Sequence, residues 1–149
     1  MLRAMSATAL PWYVWALLAA VFAALTAIFG KVGVQDLNPD YATLVRTAVI
    51  LLLAAVIVAA TGAWQSPSQV GLRSWIFLVL SGLATGASWL CYYRALKVGQ
   101  ASQVAPIDKL SIVLIAIFAT LFLGERLSPK NWLGVVMIAG GALLVAAKR

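Results

Sequence analysis

Three ionisable side chains stand where a chain normally keeps none. Arg46 interrupts the run TLVRTAVILLLAAVIVAA, and Asp108 and Lys109 separate VAPI from LSIVLIAIFATLFL. A charge in an apolar run is costly unless it is paired or faces water, so these residues are the first candidates for contact with a polar ligand. Arg46 and Asp108 form a natural ion pair. The plainer alternatives are that Arg46 snorkels to an interface and that Asp108 pairs within its own turn. Asp108 and Ser111, at i and i+3, share a helix face, which leaves Lys109 to snorkel or to complete the pair. One run earlier, Trp89, Tyr92 and Tyr93 cluster within about one turn. Broad amphipathic rings of this kind suit a planar or cationic ligand, or else fill an interior. Pro106 removes one backbone donor beside Asp108 and loosens the first turn of its helix, freeing carbonyls for a ligand or simply capping the helix.

Other chemistry is excluded by composition. The chain of 149 residues has no histidine, which removes Ser/His/Asp triads and the common zinc sites. Its one cysteine, Cys91, lies in an apolar run and has no intrachain partner for a disulfide. Only Asp108 with Ser111 even loosely resembles a nucleophile with a base, so no enzyme, cofactor or metal is expected. Eleven basic against four acidic residues would suggest nucleic acid in a soluble protein. Here the excess reads as Lys and Arg flanking membrane spans, and no nucleic-acid partner is expected.

The elements that must hold these residues follow from hydropathy. Apolar residues make up 64% of the chain and charged residues 10%, against about half and a quarter in soluble domains. The expected fold is all-α, a single domain over residues 1–149 made of five membrane spans at about 12–30, 40–60, 74–96, 102–123 and 132–147. Arg46 then lies about 10 Å and Asp108 about 9 Å in from the same side, at 1.5 Å rise per residue. Trp12, Trp15, Trp64, Trp75 and Trp132 all fall at the opposite interface, where tryptophan prefers to sit. Arg3, Arg73, Arg126 and Lys130 on that side nearly balance Lys31, Arg94, Lys97, Lys148 and Arg149 on the other, a charge bias that permits insertion both ways. Gly82 and Gly86 at GxxxG spacing, Gly134 and Gly141 at heptad spacing, and the stripe Ala16, Ala20, Ala24 read as helix-packing positions. Glu125 and Arg126 read either as a charge pair stabilising a turn or as part of a gate.

The residues Ala87 to Tyr93, Ala95-Leu96, Gly99, Ala101-Ser102 and Val104 to Ser111 form a recognisable pattern. Together with FLGERLS at Phe122 to Ser128, Trp132, Gly134 and Gly140-Gly141, it resembles EamA-type members of the drug/metabolite transporter superfamily. The resemblance covers essentially the whole chain. Many such proteins carry two inverted five-helix repeats, and this chain matches one. An odd number of spans makes a second copy insert upside down, the arrangement from which many alternating-access transporters are built. The resemblance therefore implies a homodimer, parallel or antiparallel, or a pairing with a related half-length subunit. It implies a multi-pass protein of the plasma (bacterial inner) membrane that exports a small metabolite or drug-like solute. An accessory subunit, or a component that flips a lipid-linked carrier, is the alternative. Substrate contact would fall to Trp89, Tyr92, Tyr93, Arg46, Asp108 and Ser111, and coupling or gating to Asp108, Lys109, Pro106 and Glu125. Related small multidrug exporters embed a glutamate in the first helix, and span one here has no acid. Proton-coupled cation antiport is accordingly not expected, and an anionic, zwitterionic or neutral solute suits the site at least as well.

Overall fold

In hydrocarbon every backbone polar group must be bonded internally, and the chain meets that demand with helices alone among its described residues, 10–147. A computed structural model shows α1 (Trp12–Gly33), α2 (Pro39–Thr61), α3 (Leu72–Val98), α4 (Ala101–Asp108), α5 (Ser111–Phe122) and α6 (Pro129–Ala146), with one 3₁₀ turn at Pro67–Gln69. Five stretches are long and apolar enough to cross a bilayer, α4 and α5 together making the fourth, Ala101–Phe122. Arg3, Lys148 and Arg149, which entered the charge comparison, lie outside the described residues.

Local chemistry sets the helix ends. Asn38 caps α2 by accepting the amides of Asp40 at 2.8 Å and Tyr41 at 3.4 Å, with Pro39 in the first turn where its missing N–H costs nothing. At the far end of α2 the backbone turns left-handed at Gly62 (φ 64°), and Ala63 donates back to the Val58 carbonyl at 3.0 Å. The FLGERLS segment does the same work between α5 and α6. Gly124 adopts φ 68°, Glu125 donates its amide to Ala119, and Ser128 caps α6 by accepting from Asn131 at 3.2 Å. Glu125 and Arg126 do not pair with each other, so the expected charge pair is not what shapes this turn; glycine and serine are.

The main cluster of buried side chains sits at one end, where α1 and α3 finish and α2 and α4 begin, while Ala116 and Ala119 of α5 and Val135 and Ala142 of α6 are buried elsewhere. Val34, Ala42, Tyr93 and Leu96 form that cluster, with Tyr92, Ala101 and Val104 packed against them. Two lysines exchange partners across this end. Lys31 of α1 donates to the Leu96 and Gly99 carbonyls at 2.7 and 2.8 Å, closing the end of α3. Lys97 of α3 donates to Val34 at 3.0 Å, Leu37 at 3.1 Å and Gln35, closing the end of α1. Each helix terminus, negative by its dipole, is thus met by the cation of its neighbour. Arg94 adds a two-pronged bond to Asp40, with both contacts at 3.1 Å.

Two expectations change. Span four is not one continuous helix: it breaks at Lys109-Leu110, after Pro106 rather than around it. Pro106 lies in the second turn of α4, and the loosening appears downstream, where Leu110, Ile112 and Val113 bond three residues back at 3.0 Å instead of four. The glycine that packs helices inside the chain is also a different one. At Gly82, Gly86, Gly134 and Gly141 nothing lies within 4 Å of where a Cβ would stand, whereas a Cβ on Gly30 would meet the Tyr93 hydroxyl at 3.2 Å. Around the rest of the bundle large apolar side chains such as Leu51, Leu83, Val136 and Leu144 point outward, as a lipid-facing surface requires.

Candidate functional site

Arg46 enters the bundle about 10 Å along α2 from Pro39, at 1.5 Å per residue. Its guanidinium carbon lies 4.1 Å from the centre of the Trp89 ring and 5.6 Å from that of Tyr93. The sequence left the aromatic cluster free to receive a cationic ligand, but the cation on Trp89 is the protein's own. Tyr93 is buried, and its ring stands 6.5 Å from that of Tyr92 in an edge-on arrangement.

The ion pair expected between Arg46 and Asp108 is not formed. Asp108 instead pairs with its neighbour Lys109 at 3.3 Å, the local alternative, and the other ion pair among the described residues is Arg94–Asp40. Both residues sit at the break in the helix, Asp108 as the last residue of α4 and Lys109 as its C-cap, and as chain neighbours they meet without help from another helix.

Arg46 and Asp108 nevertheless face the same recess. A cavity of about 180 Å³ is lined by Thr26, Arg46, Ser88, Trp89, Tyr92, Asp108 and Lys109, with Ala23. It adjoins a larger cleft of about 880 Å³ between α1 and the α4–α5 break, the two sharing Ala23, Tyr92, Asp108 and Lys109. Ser111 and Pro106 line that cleft, together with alanines of α1 that include Ala16, Ala20 and Ala24. The alanine stripe thus opens a space beside the break instead of drawing two helices together. On its other side Arg46 borders a recess of about 330 Å³ with Gly30, Ala42 and Tyr93. The structure therefore gathers Arg46, Trp89, Tyr92, Asp108, Lys109, Pro106 and Ser111 around connected space. Tyr93 supports Arg46 from the core side. Glu125 does not join them; it is exposed on the α5–α6 turn, at the opposite end of the bundle from the lysine exchange. Sequence reasoning did not single out Thr26 and Ser88 for the recess, although a hydroxyl in an apolar span is a usable signal for one.

The description "EamA-like transporter family" matches residues 10–147. An uncharacterized transporter of Sinorhizobium sp. from the cobO 3' region is 67% identical over 91% of this chain and 96% of its own length. The uncharacterized transporter YxxF of Bacillus subtilis is 32% identical over 91% of this chain, which spans only 42% of that protein. The probable 4-amino-4-deoxy-L-arabinose-phosphoundecaprenol flippase subunit ArnE of Yersinia pestis is 30% identical over 56% of this chain and 74% of its own. No solved structure matches the chain. On the match over nearly its full length, this multi-pass membrane protein belongs to the EamA-like transporter family.

Proposed function

We propose that the chain is one half of a secondary transporter, in which two copies enclose a site for a small metabolite or drug-like solute and alternately open it to either side. The observation that carries this reading is the break in span four. At this break the backbone stays hydrogen-bonded, three residues back, but Asp108 and Lys109 bring charge into the span. Charge at that depth is tolerated only where it faces protein or a water-filled cavity, and transporters use broken spans to hold substrate. Here the break at Lys109-Leu110 lies about 13 Å into the span at 1.5 Å per residue. It faces Arg46 and Trp89 across connected recesses. Within the chain these recesses are only partly enclosed, and a second copy would supply the missing walls. YxxF, of which one unit of this size makes up 42%, has length enough for two.

The test is reconstitution of the purified chain in liposomes with a panel of labelled solutes. Uptake of at least one solute is expected, and Arg46→Gln and Asp108→Asn should each lower it about tenfold or more, as loss of a charge-assisted contact implies. Undiminished transport in both variants would remove these residues from the mechanism. A second reading, an accessory subunit of a lipid-carrier flippase, is favoured by the similarity to ArnE. It gains if the chain moves no solute and copurifies stoichiometrically with another membrane protein.

A further inference from the structure

The charges around the recess do not cancel. Asp108 and Lys109 neutralise one another at 3.3 Å, and Arg94 is matched by Asp40, which leaves Arg46 with no carboxylate partner among the described residues. Arg46 is half-buried within a membrane span, where a lone cation is costly. Its guanidinium carbon lies over the Trp89 ring, 4.1 Å from the ring centre. A guanidinium carries its N–H donors in the plane of the group, and Arg46 spends none of them on a carboxylate among the described residues. The hydroxyl side chains Thr26 and Ser88 line the same recess. With Asp108 as its one carboxylate against Arg46 and Lys109, the recess carries an excess of positive charge that favours an anion over a further cation.

Beside this cationic recess the space changes character. The 880 Å³ cleft is walled mainly by alanines of α1 with Ile112 and Ile115 of α5, and its polar residues Asp108, Lys109 and Ser111 lie toward the break. The volume falls within the range of sites for small organic molecules, and its walls offer apolar contact without donors. From this juxtaposition we infer that the site selects organic anions with an apolar body, the anionic group meeting Arg46 and the body lying in the alanine-walled cleft. This deepens the transport reading and rests on it for the site's purpose, but not for binding. The shared chemistry, an anion joined to an apolar body, is offered both by a free organic acid and by an anionic lipid.

Binding isothermal calorimetry on the whole chain in nanodiscs of phosphatidylcholine separates the possibilities. The probes are 2-naphthoate, its neutral counterpart 2-naphthamide and the cation 2-naphthyltrimethylammonium, which share one ring system and differ in charge. The naphthoate should bind about tenfold or more tightly than either, the discrimination a charge-assisted hydrogen bond provides. Arg46→Gln should abolish the preference and Arg46→Lys should keep part of it. Equal binding of the three probes, or preference for the cation, overturns the inference, and because that comparison uses the unaltered protein it stands even if a variant fails to fold. Adding phosphatidylglycerol to the nanodiscs distinguishes the sources. Displacement of naphthoate supports the inference with an anionic lipid as occupant, and retention supports it with a free organic acid. Liposome uptake of a neutral or cationic solute, without naphthoate binding, would sink this inference while leaving the transporter reading intact.

Discussion

Single residues in this protein do work that depends on what lies across the bundle from them. Lys31 is half-buried and gives its ammonium to two carbonyls of the α3–α4 connection, Leu96 and Gly99. A methionine there would keep much of the side chain's bulk and leave both carbonyls short of a donor. Lys31→Met should therefore cost about 1–3 kcal/mol, the usual penalty of an unmet buried polar group, and read out as a lower unfolding temperature in micelles. Hydrogen exchange should quicken around Leu96 and Val34, because the exchange of lysines ties the two turns together. An unchanged unfolding temperature would mean that water replaces the ammonium. At Arg46 the same non-local dependence decides chemistry: its neighbour is an aromatic face rather than a carboxylate, which turns a candidate salt bridge into a candidate anion site.

Helices carry the next level. Proline within α4 removes the amide that would bond the carbonyl of Ser102, and the turn that follows relaxes into three-residue hydrogen bonding. Pro106→Ala restores the donor and should join α4 to α5 more continuously. The expected result is a gain of about 1–3 kcal/mol in stability, the scale of proline's penalty inside a helix, with a fall in transport. Gain of stability with unaltered transport would show that the break is not needed. The packing of α1 against α3 supplies a second contrast. A branched side chain at Gly30 would drive into Tyr93, whereas at Gly82 the space is open. Gly30→Val should destabilise the chain by about 1–3 kcal/mol and Gly82→Ala should be near neutral when the chain is measured as a monomer. Thermal unfolding of the two variants side by side checks the pair.

For the molecule as a whole, the distribution of packing matters more than its amount. One end is closed by the Val34–Leu96 core and the lysine exchange, and the cleft beside the α4–α5 break is only partly enclosed by the chain's own helices. Completion of that cleft by a second copy predicts two chains per particle, countable by photobleaching of a fluorophore on each chain in liposomes. A single bleaching step at all protein densities would refute the dimer. With copies inserted in opposite senses, a tag at the C-terminus should be labelled from both sides of intact cells; labelling from one side only restricts the dimer to a parallel one.

Much of this was legible in the amino acids because it is local. Spans follow from runs of apolar residues, and their ends from Asn38-Pro39, Gly62, Gly124 and Ser128-Pro129, each acting on backbone groups within a few positions. The common depth of Arg46 and Asp108 also followed, from their positions along spans two and four, and Trp89, Tyr92 and Tyr93 stood out as a cluster. Which of them touch did not. Helices meant for lipid are apolar on nearly every side, so the pattern of hydropathy fixes where they begin and end but scarcely fixes their rotation about their own axes. Rotation decides that Arg46 meets Trp89 and not Asp108, that Gly30 rather than Gly82 touches a neighbour, and that the alanines of α1 border a cleft. Those choices belong to the tertiary structure, because only packing between helices selects the face that each one presents.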